Sequence, residues 1–538
     1  TLDEESRSVI TSLVSLALVV TSLVVIGISV WQQSRQRIWG QVDRYLLAGL
    51  ALANLVLVIF LWVNHLNFPL NLEAMEGSVR LHVLRAASFQ PIYTEPSADF
   101  VALAYNPLYY VLAAPFTWVL GDGLPTLRLV SVIGAVGAAL VIFAVVRRHT
   151  GSIWWGLMAA GLFAAAYGAT DYYLDTIHSD SWFLLTALLG TYLIDRSRSF
   201  SGSLAGLVLL ILSFWLKQHG ALFAIGGVLF LLWREGLRRG IVYGLVAALF
   251  GPALYFLAGP ALFGPYFLYF TWEVPRTWSE VSLSTFRRLI RYSIKYLPAL
   301  AVASTWFTAW AFLRNRKALN FWHIQFVVAL FSGFMGALDP GSQNNVFIPM
   351  ATWTIIMGVL GIHHAKIHWA SLSRYHVPEA ALLLSFVLLI YSPPQAFRSS
   401  ESQQAYADLV EMLNSLDGPV YAPDLGQLQS GYTLYPAAEG VAMEDLIRGL
   451  DIDQRYNPLM MKILQPAMQP PDQKGYLLLN NRLGRGWFLD FLLDYYVLDT
   501  DFQDRFISLW TLPSSFSVGY PRYLYRYDPE QAAANPSS

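Results

Sequence analysis

Cysteine is absent from all 538 positions. That excludes disulfides, thiolate metal sites and a cysteine nucleophile, and leaves the redox compartment open. Charge is scarce: 13% of residues are Asp, Glu, Lys or Arg, against about 25% in an ordinary soluble domain. Neither sign is in excess, since 35 basic and 36 acidic residues give a formal net charge of −1, too little positive field to hold a nucleic-acid backbone. There is no phosphate-binding loop, dinucleotide glycine motif, Gly-x-Ser-x-Gly or His-Glu-x-x-His. Internal repeats and low-complexity segments are also missing, and Pro536 blocks the Asn-x-Ser at Asn535.

What is abundant is apolar. Hydrophobic residues make up 55% of the chain and aromatics 15%, with a mean hydropathy of +0.44, a composition that a globular fold of this size cannot bury. The expected fold class is an α-helical polytopic membrane protein of about 12 spans. Apolar runs place them near 8–30, 45–63, 127–146, 153–168, 181–194, 203–217, 219–233, 241–259, 294–313, 319–338, 345–363 and 378–392. The first run is too long for the core of a signal peptide and has no small-residue cleavage site after it. Pro107 to Leu120 is apolar but about one leaflet long and interrupted by Pro115, so it is read as interfacial, not spanning.

With that assignment the charges sort by side. Loops 31–44, 147–152, 195–202, 234–240, 314–318 and 364–377 share one face and hold 15 of the 25 basic residues before position 393, which marks that face as cytoplasmic. Of 18 acids in the same region only Asp43, Asp195, Glu235 and Glu379 lie there. The carboxylates thus gather on the opposite, extracytoplasmic face. Residues 1–392 form the membrane domain, with a large outer loop at 64–126. Residues 393–538 carry 18 acids and 10 basic residues, and their short β-prone runs at Val420 to Ala422 and Tyr476 to Leu479 beside a helical pattern around Gln403 to Leu416 predict a small soluble α/β domain on the outer side.

The outer face supplies the candidates for chemistry. In the first large loop Glu73, Glu76 and Arg80 fall on one helical face, where an exposed ion pair is the plain reading and a general base at the membrane surface the sharper one. Asp171, Asp175, His178 and Asp180 crowd into ten residues beside a span; such groups face a cavity or a partner, although Asp180 alone is also placed to cap a helix. Lys217 stands at a span end, where it either snorkels or meets a phosphate. Arg287, Arg291 and Lys295 recur every four residues beside Arg288, with Phe286, Leu289, Ile290 and Leu297 as the apolar side; this predicts an interfacial helix that collects a lipid phosphate or anchors nonspecifically to anionic lipid. Asp339 to Val346 is a polar turn, and His363, His364 and His368 are read as a solvated cytoplasmic loop.

Five passages resemble the glycosyltransferase-C superfamily, in the bacterial branch related to protein O-mannosyltransferases and the aminoarabinose transferase of lipid A. They are Met75-Glu-Gly77, Tyr105-Asn-Pro-Leu-Tyr-Tyr110, Tyr173-Leu-Asp-Thr-Ile-His-Ser-Asp-Ser181, Leu216-Lys-Gln218 and Gly341-Ser-Gln-Asn-Asn-Val-Phe-Ile-Pro349. The resemblance implies an integral membrane glycosyltransferase that moves a hexosyl or pentosyl group, with inversion, from a polyprenyl-phosphate carrier to a lipid, glycan or protein acceptor on the extracytoplasmic face of the cell membrane. It implies catalytic roles for Glu76, Asp175 and Asp180, with Glu73 as the competing first-loop acid. Substrate-binding roles follow for Arg80, Tyr105, Tyr109, His178, Lys217, Gln218, Arg288, Arg291 and Asn345. It requires no cofactor and allows a divalent cation at the Asp175 and Asp180 pair. His178 stands where relatives often carry Arg, and Asn106 where many have Pro. A flippase for lipid-linked sugars and an inactive binding subunit of the same fold are the alternatives; a flippase would carry charge at mid-membrane and a repeat symmetry.

Overall fold

The computed structural model describes residues 36–279, 281–339, 341–392, 396–425, 438–448, 458–484, 488–513 and 519–534. The apolar run 8–30 and the Pro393–Pro394 boundary lie outside the described residues. Every other apolar run falls on a helix: α1 (Gln36–Leu66), α4 (Leu124–Thr150), α5 (Ile153–Ala165), α6 (Asp180–Arg196), α7 (Phe200–Leu216), α8 (Gly220–Glu235), α9 (Leu237–Ala248, continuing as irregular helix to Phe263), α11 (Pro298–Leu313), α12 (Phe321–Gly336), α13 (Ile348–His368) and α14 (Val377–Leu388). Three further helices, α2 (Glu76–Ala87), α3 (Leu108–Leu120) and α10 (Leu283–Tyr296), belong to the loops between them.

Length separates these helices. Among the described residues only Asp43–Leu66, Leu124–Thr150, Leu237–Phe263 and Asn344–His368 are by themselves long and apolar enough to cross a membrane, so the number of crossings is set lower by this criterion than the twelve expected. At a rise of about 1.5 Å per residue, the 13-residue α3 reaches only about 20 Å, which agrees with an interfacial role. The expected span 294–313 is displaced, because the chain turns by 108° between α10 and α11 and only the second of these runs is free of charge.

Local sequence accounts for the helix ends and for the close packing. In α4, Pro125 opens the first turn, Arg147, Arg148 and His149 close the last, and Gly151 ends the helix at φ +67°; proline needs no amide partner there and the cations meet the negative helix end. Small residues let the helices approach. A Cβ on Gly161 would lie 2.5 Å from Ala51 Cβ, and one on Gly190 2.8 Å from the Gly206 carbonyl, so α5 packs on α1 and α6 on α7 by backbone contact, as membrane helices do. Meanwhile Leu52, Val56, Ile59, Phe60 and Val63 of α1 stay exposed, an apolar stripe that suits lipid and not water. α13 is the central post, buried from Ile348 through Ile362.

The ion pairs fall into two groups. Asp43 meets His376, His149 meets Asp195, Arg239 meets Glu235 and Lys366 meets Glu379. All these residues come from the loops read as one face. His65–Asp175, Arg128–Glu76 and Lys217–Asp180 come from the other. The three histidines are not a loop cluster: they sit on the last turns of α13, with His363 against Trp155 and His364 on Trp310.

Beyond residue 396 the chain forms a four-stranded mixed sheet, β1 (Val420–Tyr421), β2 (Tyr476–Leu479), β3 (Tyr496–Asp501) and β4 (Tyr523–Tyr527), in the order β1-β2-β4-β3. β1 runs parallel to β2 and the other pairs are antiparallel. Helices α15 (Ser402–Asn414), α16 (Gly440–Ile447) and α17 (Pro458–Met468) accompany it. This small α/β unit is fastened to the loop 64–126. Leu512 N donates to the Leu72 carbonyl at 2.9 Å, Ala438 N to the Ala98 carbonyl at 3.0 Å, and Ser78 Oγ to the Glu439 carboxylate.

Candidate functional site

The site begins at the junction of α7 and α8. Trp215-Leu-Lys-Gln-His-Gly220 reverses the chain so tightly that a Cβ on Gly220 would sit 2.2 Å from the Ser213 carbonyl carbon, so glycine is required there. The reversal leaves Lys217 in an extended conformation (φ −152°) with its Nζ 2.6 Å from Asp180 Oδ1. Asp180 starts α6, and its other oxygen takes the Asn345 amide at 3.0 Å and lies 2.6 Å from His178 Nδ1. Asn345 is delivered by the 3₁₀ turn Asn344–Phe347 at the head of α13. All four side chains are buried. His178 is held edge-on between the rings of Tyr105 and Tyr173, at 5.0 and 5.5 Å.

A cavity of about 310 Å³ opens over this cluster, lined by Tyr105, Tyr173, Lys217, Gln218 and Asn345 among others. Its wall includes Ala74 and Met75 of the loop 64–126 and Asp339, Gly341, Ser342, Gln343 and Asn345 of the polar turn. Its roof comes from the C-terminal unit: Val441, Glu444 and Asp445 of α16 and the following Arg448. Arg448 bonds Asp339 at 3.1 Å and Asp445 at 3.1 Å and lies on the Trp278 ring. Burial lifts the Asp445 carboxyl to about 7, with Arg448 holding it down. Arg276 lines the same space, exposed and, among the described residues, with no ion pair of its own.

Glu73 lies directly behind this wall. It is buried; its Oε2 accepts from Met75 N at 3.0 Å and from the Tyr173 hydroxyl at 3.3 Å, while Oε1 has no hydrogen-bond partner among the described residues. Tyr173 also contacts Gln343 Oε1 at 2.8 Å. Burial, then the neighbouring Glu76, raises the Glu73 carboxyl to about 8. The loop that presents Tyr173 is strained: Asp171 and Tyr172 both take left-handed φ values, +56° and +64°, a costly conformation for side chains other than glycine. Asp171 holds the turn by accepting from Asn344 N at 2.8 Å and Nδ2 at 3.1 Å.

Several expected site residues are elsewhere. Glu76 is fully enclosed: its carboxylate receives Arg128 Nη2 at 2.6 Å and Nε at 3.1 Å, Leu72 N at 2.7 Å and Ile177 N at 3.0 Å. Arg128 spends its remaining donors on the carbonyls of His65, Phe68 and Leu70. This pair knits two loops together and does not touch the cavity. Asp175 is likewise turned away, bonded to His65 at 2.6 Å and to the Tyr167 hydroxyl. Arg80 pairs with Asp122 at 3.0 Å, not with Glu76. The Tyr109 hydroxyl is 2.8 Å from Ser131 Oγ inside the bundle. Arg288 donates to Ser342, a wall residue, at 2.7 and 2.6 Å, whereas Arg291 faces a separate groove.

Among the described residues no three His, Asp or Glu side chains converge as a metal set. Asp175 and Asp180 have different partners: His65 and the Tyr167 hydroxyl meet the first, Lys217 and Asn345 the second. The residues not foreseen are Arg128, Arg276, Asp445 and Arg448; Tyr173 and Asp339 stand in passages read only as a motif and as a polar turn. A lone arginine near the start of the long apolar run at 127–146 was the one visible signal, because a charge in such a run faces a partner.

The architecture defines a class: a helical membrane protein with a polar cavity at one end of its bundle, roofed by a small α/β unit. No family model matches the sequence, and no curated protein matches it. The chain is similar to the solved structure of ArnT from Cupriavidus metallidurans bound to undecaprenyl phosphate (12% identity, TM-score 0.49, covering 90% of this chain and 99% of that one). It is also similar to the Archaeoglobus fulgidus oligosaccharyltransferase (12%, 0.41, 68% and 55%) and to the arabinosyltransferase EmbB from Mycobacterium smegmatis (14%, 0.37, 81% and 40%).

Proposed function

We propose that the protein is a membrane glycosyltransferase that moves a sugar from a polyprenyl-phosphate carrier to an acceptor hydroxyl or amine at the extracytoplasmic face. The observation that carries this reading is the buried Asp180–Lys217–Asn345 cluster opening into the 310 Å³ cavity, together with the exposed Arg276 in the same wall. A lipid-linked donor needs no nucleotide-binding fold and brings its leaving group to membrane level as a phosphate, and Lys217 and Arg276 in the cavity wall are suited in charge to hold one.

In the reaction the acceptor oxygen or nitrogen attacks the anomeric carbon as the bond from that carbon to the phosphate oxygen breaks. The acceptor proton passes through the Tyr173 hydroxyl to Glu73, one proton entering the tyrosine oxygen as another leaves it for the carboxylate. The electron pair of the broken bond stays on the phosphate, where Lys217 and Arg276 stabilise the charge as it develops. Glu73 takes the role of base because its partners adjoin the cavity and its carboxyl, raised to about 8, is matched to accepting a proton. A single displacement, with the acceptor entering opposite the departing phosphate, inverts the anomeric configuration.

The test is transfer by the purified protein from a synthetic polyprenyl-phosphate sugar. Glu73→Gln is expected to lose roughly 10²- to 10⁴-fold in rate, the usual worth of a general base, while inserting and folding normally. Full turnover by that variant would remove Glu73 from the mechanism.

A further inference from the structure

The groove faced by Arg291 is separate from the cavity just described. It measures about 450 Å³ and is lined by Arg287, Ile290, Arg291, Ile294 and Lys295, all from α10. The helix is two-sided. Thr285 and Tyr292 are buried against the bundle, and Arg288 reaches inward to Ser342. Leu283, Phe286, Ile290 and Ile294 are exposed, between 46% and 65%. At 100° per residue these four fall in one stripe. Arg287, Arg291 and Lys295 form a second stripe along its edge. Among the described residues none of the three cations has an acidic partner, and Lys295 only overlies the Tyr296 ring.

The orientation of the helix gives this pattern its meaning. α10 meets α11 at a bend of 108°. If α11 runs across the bilayer, α10 lies nearly flat along the surface, at the depth where acyl chains give way to head groups. Its apolar stripe then enters the acyl region, and the row of cations beside it stands at the level of the lipid phosphates. Three unpaired cations beside an exposed apolar row complement one kind of occupant: an amphiphile with an anionic head and apolar tails.

We propose that α10 is a docking site for anionic phospholipid, distinct from the catalytic cavity, in which Arg287, Arg291 and Lys295 hold the head-group phosphate and Ile290 and Ile294 meet the acyl chains. The site is joined mechanically to the cavity, because Arg288 on the opposite side of the same helix donates both to Ser342 Oγ and to its carbonyl, and Ser342 belongs to the cavity wall. Lipid bound at α10 therefore steadies the turn that carries Asp339, Gln343 and Asn345. The proposal does not depend on the reaction assigned to the cavity.

The absence of cysteine makes the experiment clean. The full-length protein with the single substitution Ile294→Cys carries a fluorophore and is placed in nanodiscs of phosphatidylcholine containing a small fraction of quencher-labelled lipid, either phosphatidylglycerol or phosphatidylcholine labelled on the acyl chain. Quenching by the anionic lipid is expected to exceed that by the zwitterionic lipid severalfold and to fall with salt. Charge near a membrane surface favours anionic lipid by roughly fivefold per cation. Adding Arg287→Gln, Arg291→Gln and Lys295→Gln is expected to abolish the preference, and lysine at the two arginine positions to restore most of it. The three residues are exposed, so folding is expected to survive; the comparison of lipids on the unsubstituted helix stands even if it does not. Equal quenching by the two lipids would overturn the proposal, as would a preference that persists in the triple variant. Quenching that follows a polyprenyl phosphate and not phosphatidylglycerol would also overturn it and would make the groove a station for the donor carrier.

Discussion

Glu73 and Glu76 stand three residues apart and have opposite environments. Glu76 is met by two arginine nitrogens and two backbone amides. Removing its charge leaves Arg128 buried without compensation, so Glu76→Gln is expected to destabilise the protein by about 3–5 kcal/mol, the usual cost of breaking one side of a buried pair. Thermal unfolding in detergent would show this as a lowered midpoint, and replacing both partners by apolar residues of similar size should recover part of the loss. Glu73 has, among the described residues, no cationic partner and one unpartnered oxygen. With a carboxyl near 8 it is protonated at neutral pH, and only its ionised form can accept a proton. The transfer rate is therefore expected to rise about tenfold per unit as pH approaches 8 and to level off above it; a flat profile between pH 6 and 9 would argue against this base. The same shift acts on stability in the reverse sense: the folded state holds a proton that the unfolded chain releases near 4.5, so this contribution is complete below that value and is lost as pH rises through 8. Nothing in the spacing Glu-x-x-Glu separates the two roles. The difference arises from Arg128, 52 residues after Glu76, and from Tyr173, 100 residues after Glu73.

At the scale of elements, helices were legible wherever lipid demanded a long apolar run, as in α1, α4 and α13. They were least legible where the chain bends. The run 294–313 reads as one continuous span, yet Leu297 and Pro298 divide it at 108°, because the charged helix before the bend can only lie at the surface. The roof of the cavity was hidden for a different reason. α16 is a helix of eight residues in the C-terminal unit, and the contact of the following Arg448 with Asp339 joins positions 109 apart. Arg448 is the latch of this roof. Arg448→Ala frees Asp339 and Asp445 from their shared cation, and the expected result is a raised KM for acceptor with a smaller change in kcat, as befits a residue that shapes the cavity without touching the reacting atoms. Steady-state kinetics with varied acceptor would check it; an unchanged KM would show that α16 does not bound the acceptor space.

For the whole molecule, the scarcity of charge is the organising fact. A chain with 13% charged residues has, among the described residues of its helical bundle, ion pairs in two groups, and the carboxylates of the cavity end are the ones that chemistry can use. Composition and loop parity predict this division from the sequence, and the pairs Asp43–His376, His149–Asp195 and Lys366–Glu379 join residues read as one face. Sidedness is tested by cysteine labelling with an impermeant reagent in intact cells. Asp122 is exposed at the cavity end and Arg238 at the other, so Asp122→Cys is expected to react and Arg238→Cys not to; the reverse would invert the orientation. The central claim, that the cavity holds a lipid-linked phosphate at Lys217, is tested most directly by native mass spectrometry of the protein purified from its membrane. Wild type is expected to retain a polyprenyl phosphate or its glycoside, and Lys217→Gln to lose it while remaining folded. A lipid of this class absent from wild type, or present equally in both proteins, would contradict the account.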